Sequence, residues 1–288
     1  MTLRELLRDG PVVLDGALAT ELEARGHDLS DALWSARLLR DAPEAIAAVH
    51  AAYVAAGARV LITASYQASF EGLGDEAPAL LRRSVELARR AAAPGVLVAA
   101  SVGPYGAVLA GGQEYTGDYG PVGPRALGSF HERRLRALLE ARPDCLACET
   151  IPRADEAAVL ARALDRVDAP EAWISFACRD GRTTNHGEPI EAAVAAATAS
   201  SRVVAVGVNC TAPEHVDELL ERAAAVTDLP LVAYPNAGRA WDAEARRWSD
   251  GPPPALPAAR WAAAGARLIG GCCGLGPDAV RAVAAALG

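Results

Sequence analysis

The chain has 288 residues, 51% of them hydrophobic and 22% charged, with 28 Lys and Arg against 36 Asp and Glu for a net charge of −8. That length suits two ordinary domains or one α/β barrel of about 250 residues, and the acidic balance argues against a nucleic-acid partner while being compatible with a cationic substrate. No uncharged apolar run reaches the roughly 18 residues a membrane span needs, and the opening MTLRELLRDG carries charges where a secretion signal is apolar, so a soluble cytoplasmic protein with reduced thiols is expected.

Short apolar runs recur along the chain: VVLDGALA from Val12, ARVLITASY from Ala58, GVLVAASVG from Gly95, PDCLACETI from Pro143, EAWISFACR from Glu171, RVVAVGVNC from Arg202, LPLVAYPNAG from Leu229 and GARLIGGCCG from Gly265. Each is almost continuously apolar, the pattern of a parallel strand covered on both faces. Between them lie stretches with helical spacing, such as 76–93 and 213–226. The alternation predicts a single (β/α)8 TIM-type barrel over residues 1–288, with its active site at the C-terminal ends of the strands. A doubly wound open sheet fits less well, because it usually has fewer units and no G-x-G-x-x-G follows the first strand. Residues 103–129, GPYGAVLAGGQEYTGDYGPVGPRALGS, are too rich in Gly and Pro for a helix and too long for an ordinary connection. Following the third strand, they are expected to form a lid or substrate clamp. The Pro-rich segment 249–260 reads as a rigid connector.

Cys210 ends the sixth strand, and Cys272 and Cys273 end the eighth. Neighbouring Cα atoms are about 3.8 Å apart, below the roughly 4.4–6.8 Å that disulfides prefer, so a bridge between Cys272 and Cys273 would be strained. Alternate barrel strands feed side chains into the same layer, which lets the three sulfurs converge at the top. Gly270, Gly271 and Gly274 free the backbone from strand geometry, so both adjacent thiols can turn toward one ion. Three thiolates suit Zn²⁺, and a catalytic zinc keeps three protein ligands and one open position. A single buried cysteine is usually a small hydrophobe. That is the expectation for Cys145 and Cys148, which a spacing of three places on opposite strand faces, and for Cys178. His27, His50, His131, His186 and His215 show no metal-ligand spacing.

Taken together, DGALATELEARG (15–26), LITASYQAS (61–69), ASVGPYGA (100–107), EYTGDY (114–119), CETIP (148–152), GVNC (207–210), YPNAG (234–238) and GGCCG (270–274) resemble the zinc-dependent homocysteine S-methyltransferase family over nearly the whole chain. The chain is most similar to the compact members that use S-methylmethionine or S-adenosylmethionine, and the further domains of the cobalamin-dependent methionine synthases are not expected. The resemblance implies zinc on Cys210, Cys272 and Cys273, with the homocysteine sulfur at the open position as a thiolate, and in-line transfer of a methyl group to give methionine. It also implies that Asp15 and Glu149 hold the substrate amino group. Backbone N–H groups around Gly16 and Ala17 are candidates for the carboxylate, and Thr20 for a hydroxyl contact or an N-cap. Tyr66, Gln67 and Asn209 are further substrate candidates, Tyr66 either at the fourth zinc position or facing the donor. Tyr105, Tyr115 and Tyr119 are candidates for the donor side.

Two departures from the family pattern lie near the expected substrate face: Arg239 after PNAG, where relatives commonly carry Glu, and Leu275–Gly276 after GGCCG, where a Thr is frequent. They leave the zinc ligands intact and bear on the donor and acceptor. The partners expected are small molecules, with neither nucleic acid nor membrane. Other readings stay open: another thiol or selenol acceptor such as selenocysteine, betaine as donor, a barrel hydrolase or lyase that activates water on zinc, or a non-enzymatic zinc-binding or redox-sensing barrel.

Overall fold

A computed structural model describes residues 1–29, 35–109, 111–238, 241–242, 247–248 and 254–288. Arg239 and the first five residues of the Pro-rich connector lie outside that set. Eight parallel strands form one sheet: β1 (Val12–Val13), β2 (Val60–Ile62), β3 (Leu97–Val102), β4 (Cys145–Ile151), β5 (Ala172–Phe176), β6 (Val203–Asn209), β7 (Leu231–Tyr234) and β10 (Ala266–Ile269). Their order is β1-β10-β7-β6-β5-β4-β3-β2, and a parallel bridge from Leu14 to Val60 joins the two edges, closing the expected (β/α)8 barrel. Between β7 and β10 sits a short antiparallel pair, β8 (Trp241–Asp242) and β9 (Arg247–Trp248). Strands of two residues carry no alternation to read, which is why the sequence gives no sign of them.

Inside the barrel, Leu14, Val60, Leu97, Ala147, Trp173 and Tyr234 belong to one buried cluster. The helix Leu3–Arg8, started by a reciprocal Thr2–Glu5 capping box, adds Leu3, Leu6 and Leu7 to that cluster. Because β1 begins just after this helix, it plugs the N-terminal end of the barrel, and the opposite end is left to form a site. Burying each of these leucines is worth about 1.5–3 kcal/mol. A second, larger cluster lies between the sheet and the surrounding helices. Helix Ala77–Ala91 shows why they dock: Leu80, Leu81, Ser84, Val85, Leu87 and Ala88 are buried at helical spacing, with Arg89 and Arg90 in the last turn.

Cys145 faces the barrel interior and Cys148 the outer layer, as a period of two requires. Burial pushes the thiols of Cys145, Cys148 and Cys178 up, that of Cys148 to about 12, so all three stay protonated core groups. The long segment after β3 differs from expectation at its end. Its first part holds two short 3-10 turns, Tyr105–Val108 and Gln113–Tyr115, but residues 124–129 are the start of helix Pro124–Leu139. Pro124 occupies the first helical position, where its missing N–H costs nothing, and Gly128 is carried by the flanking apolar face. Among the described residues no helix is long and apolar enough to cross a membrane.

Candidate active site

Cys210 directly follows β6 at a φ of 46°, a left-handed conformation that non-glycine residues seldom adopt and that is strained. The loop after β7 holds it there. The Cys210 N–H donates to the Tyr234 carbonyl at 3.1 Å, and Asn236 Nδ2 donates to the Cys210 carbonyl at 3.1 Å. The same loop grips GGCCG: the Cys272 N–H donates to Pro235 at 2.7 Å and the Ala237 N–H to Cys273 at 2.8 Å. YPNAG is therefore a backbone template for the cysteine loop. Gly274 adopts a φ of 81°, and a Cβ on Gly270 would stand 2.6 Å from Leu14 Cβ; here glycine serves both a left-handed turn and a close approach.

The Sγ atoms of Cys210, Cys272 and Cys273 all lie within 4.8 Å of one another, and those of Cys210 and Cys273 are 3.7 Å apart. Two sulfurs each about 2.3 Å from a tetrahedral ion sit about 3.8 Å apart, so the donor set fits zinc. Its charge balance fits as well. Hydrogen bonds from Cys272 and Cys273 hold the Cys210 thiol well below its ordinary value, while Cys210 in turn pushes Cys272 and Cys273 up. Three thiols packed this closely disfavour one another's ionisation, and a cation among them would offset that repulsion.

The cysteines form one wall of a pocket of about 820 Å³, open solvent at its mouth included, which Gly16, Ala17, Tyr66, Gln67 and Glu149 also line. Glu149 accepts from Ser101 Oγ at 2.5 Å. Burial, then the nearby Cys272 sulfur, pushes its carboxyl up to about 8. Asp15 lies behind the wall at 3% exposure. Its Oδ2 accepts from the Ile62 N–H at 2.8 Å, and its Oδ1 has no hydrogen-bond partner among the described residues. Burial and the Glu149 charge raise it well above the usual carboxylate range. Burial of both acids, with the Glu149 charge acting on Asp15, disfavours an ionisation that a nearby cation would restore.

The other expected residues divide into pocket wall and scaffold. Gln67 and Tyr66 line the pocket. Ala17 does too, but its N–H already donates to the Leu275 carbonyl at 3.1 Å, so it cannot receive a carboxylate. Thr20 accepts from the Gly274 N–H at 3.0 Å. It braces the cysteine loop instead of capping a helix, since the helix Leu18–Ala24 has begun two residues earlier. Asn209 is fully buried: its Oδ1 accepts from the Thr150 N–H at 2.7 Å and from Ser175 Oγ at 2.8 Å, and its Nδ2 donates to Thr150 Oγ1 at 2.8 Å. It ties β6 to β4 and β5 beneath the site. Leu275 is likewise buried, a packing residue under the cysteine loop.

The loop after β3 separates its tyrosines. Tyr115 lines the pocket, its hydroxyl 4.0 Å from Cys210 Sγ, which makes it the phenol set against a cysteine. Tyr105 and Tyr119 instead pack edge to face, centroids 5.5 Å apart, away from the pocket. The fully buried Glu156 anchors both: it accepts from the Tyr105 N–H at 2.7 Å, from Tyr119 Oη at 2.6 Å, and lies 2.9 Å from His131 Nε2. Arg134, also fully buried, donates to the carbonyls of Ser65, Tyr66, Ala68 and Gly103. It fixes the loop that presents Tyr66 and Gln67. Sequence reasoning missed Arg134 and Glu156 because charged residues on amphipathic helices read as solvated.

A family model for homocysteine S-methyltransferase matches residues 12–287. Homocysteine S-methyltransferase 4 of Zea mays is 46% identical over 316 residues, spanning 99% of this chain and 92% of that protein. The homocysteine S-methyltransferase of Escherichia coli (strain K12) is 45% identical over 303 residues, spanning 98% and 97%. A crystal structure of the homocysteine methyltransferase MmuM from Escherichia coli, in its metallated form, superposes with a TM-score of 0.85 at 44% identity over 98% of this chain and 99% of that one. With matches that run almost end to end and a three-cysteine centre at the mouth of a closed barrel, this chain belongs to the homocysteine S-methyltransferase family.

Proposed function

We propose that this protein transfers a methyl group from a sulfonium donor, S-methylmethionine or S-adenosylmethionine, to the sulfur of L-homocysteine, giving methionine, with zinc held by Cys210, Cys272 and Cys273. The observation that carries the reading is the convergence of three sulfurs, at zinc-compatible separation, on a pocket backed by two buried carboxylates. Zinc bound there would supply a Lewis-acid site that keeps the substrate sulfur ionised at neutral pH, where a free thiol of pKa about 8.5 is mostly protonated.

The chain's own residues do the rest. Glu149 in the wall, with Asp15 behind it, receives the α-ammonium; pairing with that cation returns both carboxyls toward their ionised form. The thiol proton leaves to solvent. The donor S–CH3 bond breaks as the new S–C bond forms, and its electron pair stays on the donor sulfur, which departs as a neutral thioether. No step calls for a general acid, and no histidine lines the pocket among the described residues.

The test is transfer of an isotope-labelled methyl group to homocysteine by reduced, zinc-loaded protein, with S-methylmethionine, S-adenosylmethionine and betaine offered separately. Labelled methionine from a sulfonium is expected. Transfer from betaine alone, or from none of the three, would overturn the assignment.

A further inference from the structure

One acid in the pocket is left unused by that reading. Glu114 sits in the turn Gln113–Tyr115, is 7% exposed, and lines the pocket together with Tyr66, Tyr115 and Cys210. Its Oε2 is buried with no hydrogen-bond partner among the described residues. An unpartnered buried carboxylate oxygen is costly, and its position is no accident of a loose loop. A Cβ at Gly106 would stand 2.6 Å from the Glu114 nitrogen and 2.7 Å from the Tyr119 ring. Asn185 Nδ2 donates to the Glu114 carbonyl at 3.3 Å, and the Gly117 N–H to Gln113 at 2.7 Å. The backbone is thus pinned on both sides, and Tyr119 is itself tied to Glu156.

The surroundings specify what Glu114 waits for. Among the described residues no Arg or His lines this pocket, and the chain contains no lysine. The described wall offers Glu114 no cation, so a cationic ligand would complete the site. That ligand sits beside the phenols of Tyr66 and Tyr115, groups that attract cations, and within reach of the cysteine centre.

We propose that Glu114 is the counter-ion of the donor's methyl-bearing cation, a sulfonium, with Tyr66 and Tyr115 flanking it. The assignment rests on the methyl-transfer reading above. A sulfonium has no N–H or O–H to donate, so it is recognised by charge and ring contact alone, and a buried carboxylate in a low-dielectric pocket supplies that charge. As the methyl group leaves, the donor sulfur becomes a neutral thioether and its attraction to Glu114 ends. The contact is strongest in the ground state, so its loss shows in the donor KM more than in kcat. Glu114 also lets the spent donor go.

The experiment compares wild type with Glu114→Gln and Glu114→Asp, zinc-loaded. Calorimetry without homocysteine measures binding of S-methylmethionine and of methionine, its neutral thioether; steady-state rates give kcat and both KM values. The expected result is a wild-type preference for the sulfonium of roughly ten-fold or more, equivalent to about 1.4 kcal/mol, that falls to near one in Glu114→Gln. The donor KM rises in step, while zinc content, thermal midpoint and homocysteine KM hold, and Glu114→Asp keeps part of the preference. An undiminished preference in Glu114→Gln, or equal weakening of both ligands, would overturn the assignment. If wild type transfers no methyl group from any sulfonium, the underlying reading fails instead.

Discussion

Cys210 and Cys273 stand 63 positions apart in the chain, and their Sγ atoms 3.7 Å apart in space. That separation is held by backbone bonds to the β7 loop, not by the sulfurs themselves. Cys210→Ser should therefore keep the fold while losing the soft ligand zinc prefers. Metal analysis of the purified variant is expected to show well under one zinc per chain, with methyl transfer lost in the same proportion and the unfolding midpoint of the metal-free protein unchanged. Full activity in zinc-stripped wild type would refute the metal's role.

Glu149 is pushed to about 8 chiefly by burial. The sign follows directly: against an unfolded value of about 4.3, the folded state keeps a proton that the unfolded state releases, so stability declines as pH rises from about 4.3 through 8. Glu149→Gln should flatten that part of the stability curve in metal-free protein, retain zinc when loaded, and weaken homocysteine binding by roughly ten-fold or more through the lost ammonium contact. Asp15→Ala should likewise retain zinc and weaken homocysteine. A variant that binds homocysteine like wild type would remove Glu149 from the amine site.

The barrel and its three-cysteine cluster were legible in the sequence because both rest on strong signals. Eight apolar runs of strand length leave few topologies, and cysteines are rare enough that three at strand ends stand out. Tyr115 and Glu114 were harder to place, since a Gly-rich loop has no periodicity from which to read which side chain points inward. Tyr105, Tyr115 and Tyr119 look alike in sequence, yet only the second faces the pocket. Asn209 and Thr20 were drawn to the substrate by their position beside functional residues, whereas their hydrogen bonds run into the scaffold. Buried charges such as Arg134 escaped notice because nothing in a helix's own sequence distinguishes a carbonyl-bound guanidinium from a solvated one.

Arg134 makes that last point testable. Its guanidinium donates to four carbonyls in two loops, and burial lowers it to about 10. A lysine has a single nitrogen and cannot span the four. Arg134→Lys is expected to cost about 2–4 kcal/mol, seen as a midpoint lower by roughly 5–10 °C, and to raise KM through the displaced Tyr66–Gln67 loop. A midpoint within 2 °C of wild type would show that the loops hold without it.

His50 offers a test remote from the cysteine cluster. On helix Pro43–Ala55 it is fully buried, both ring nitrogens lack hydrogen-bond partners among the described residues, and burial lowers it to about 4. The unfolded chain takes up its proton near 6.5 and the folded chain does not, so stability contributed by neutral His50 is complete above about 6.5 and is lost as pH falls toward 4. Between pH 7 and 5 that amounts to about 2 kcal/mol. His50→Leu removes both the titration and two unsatisfied nitrogens, so it should match or exceed wild type at pH 7. Denaturant melts at pH 7, 6 and 5 would read the difference directly, because every other titrating group is common to both proteins. A gap that widens by about 2 kcal/mol on acidification is expected; parallel curves would mean that His50 finds a proton acceptor in the folded state.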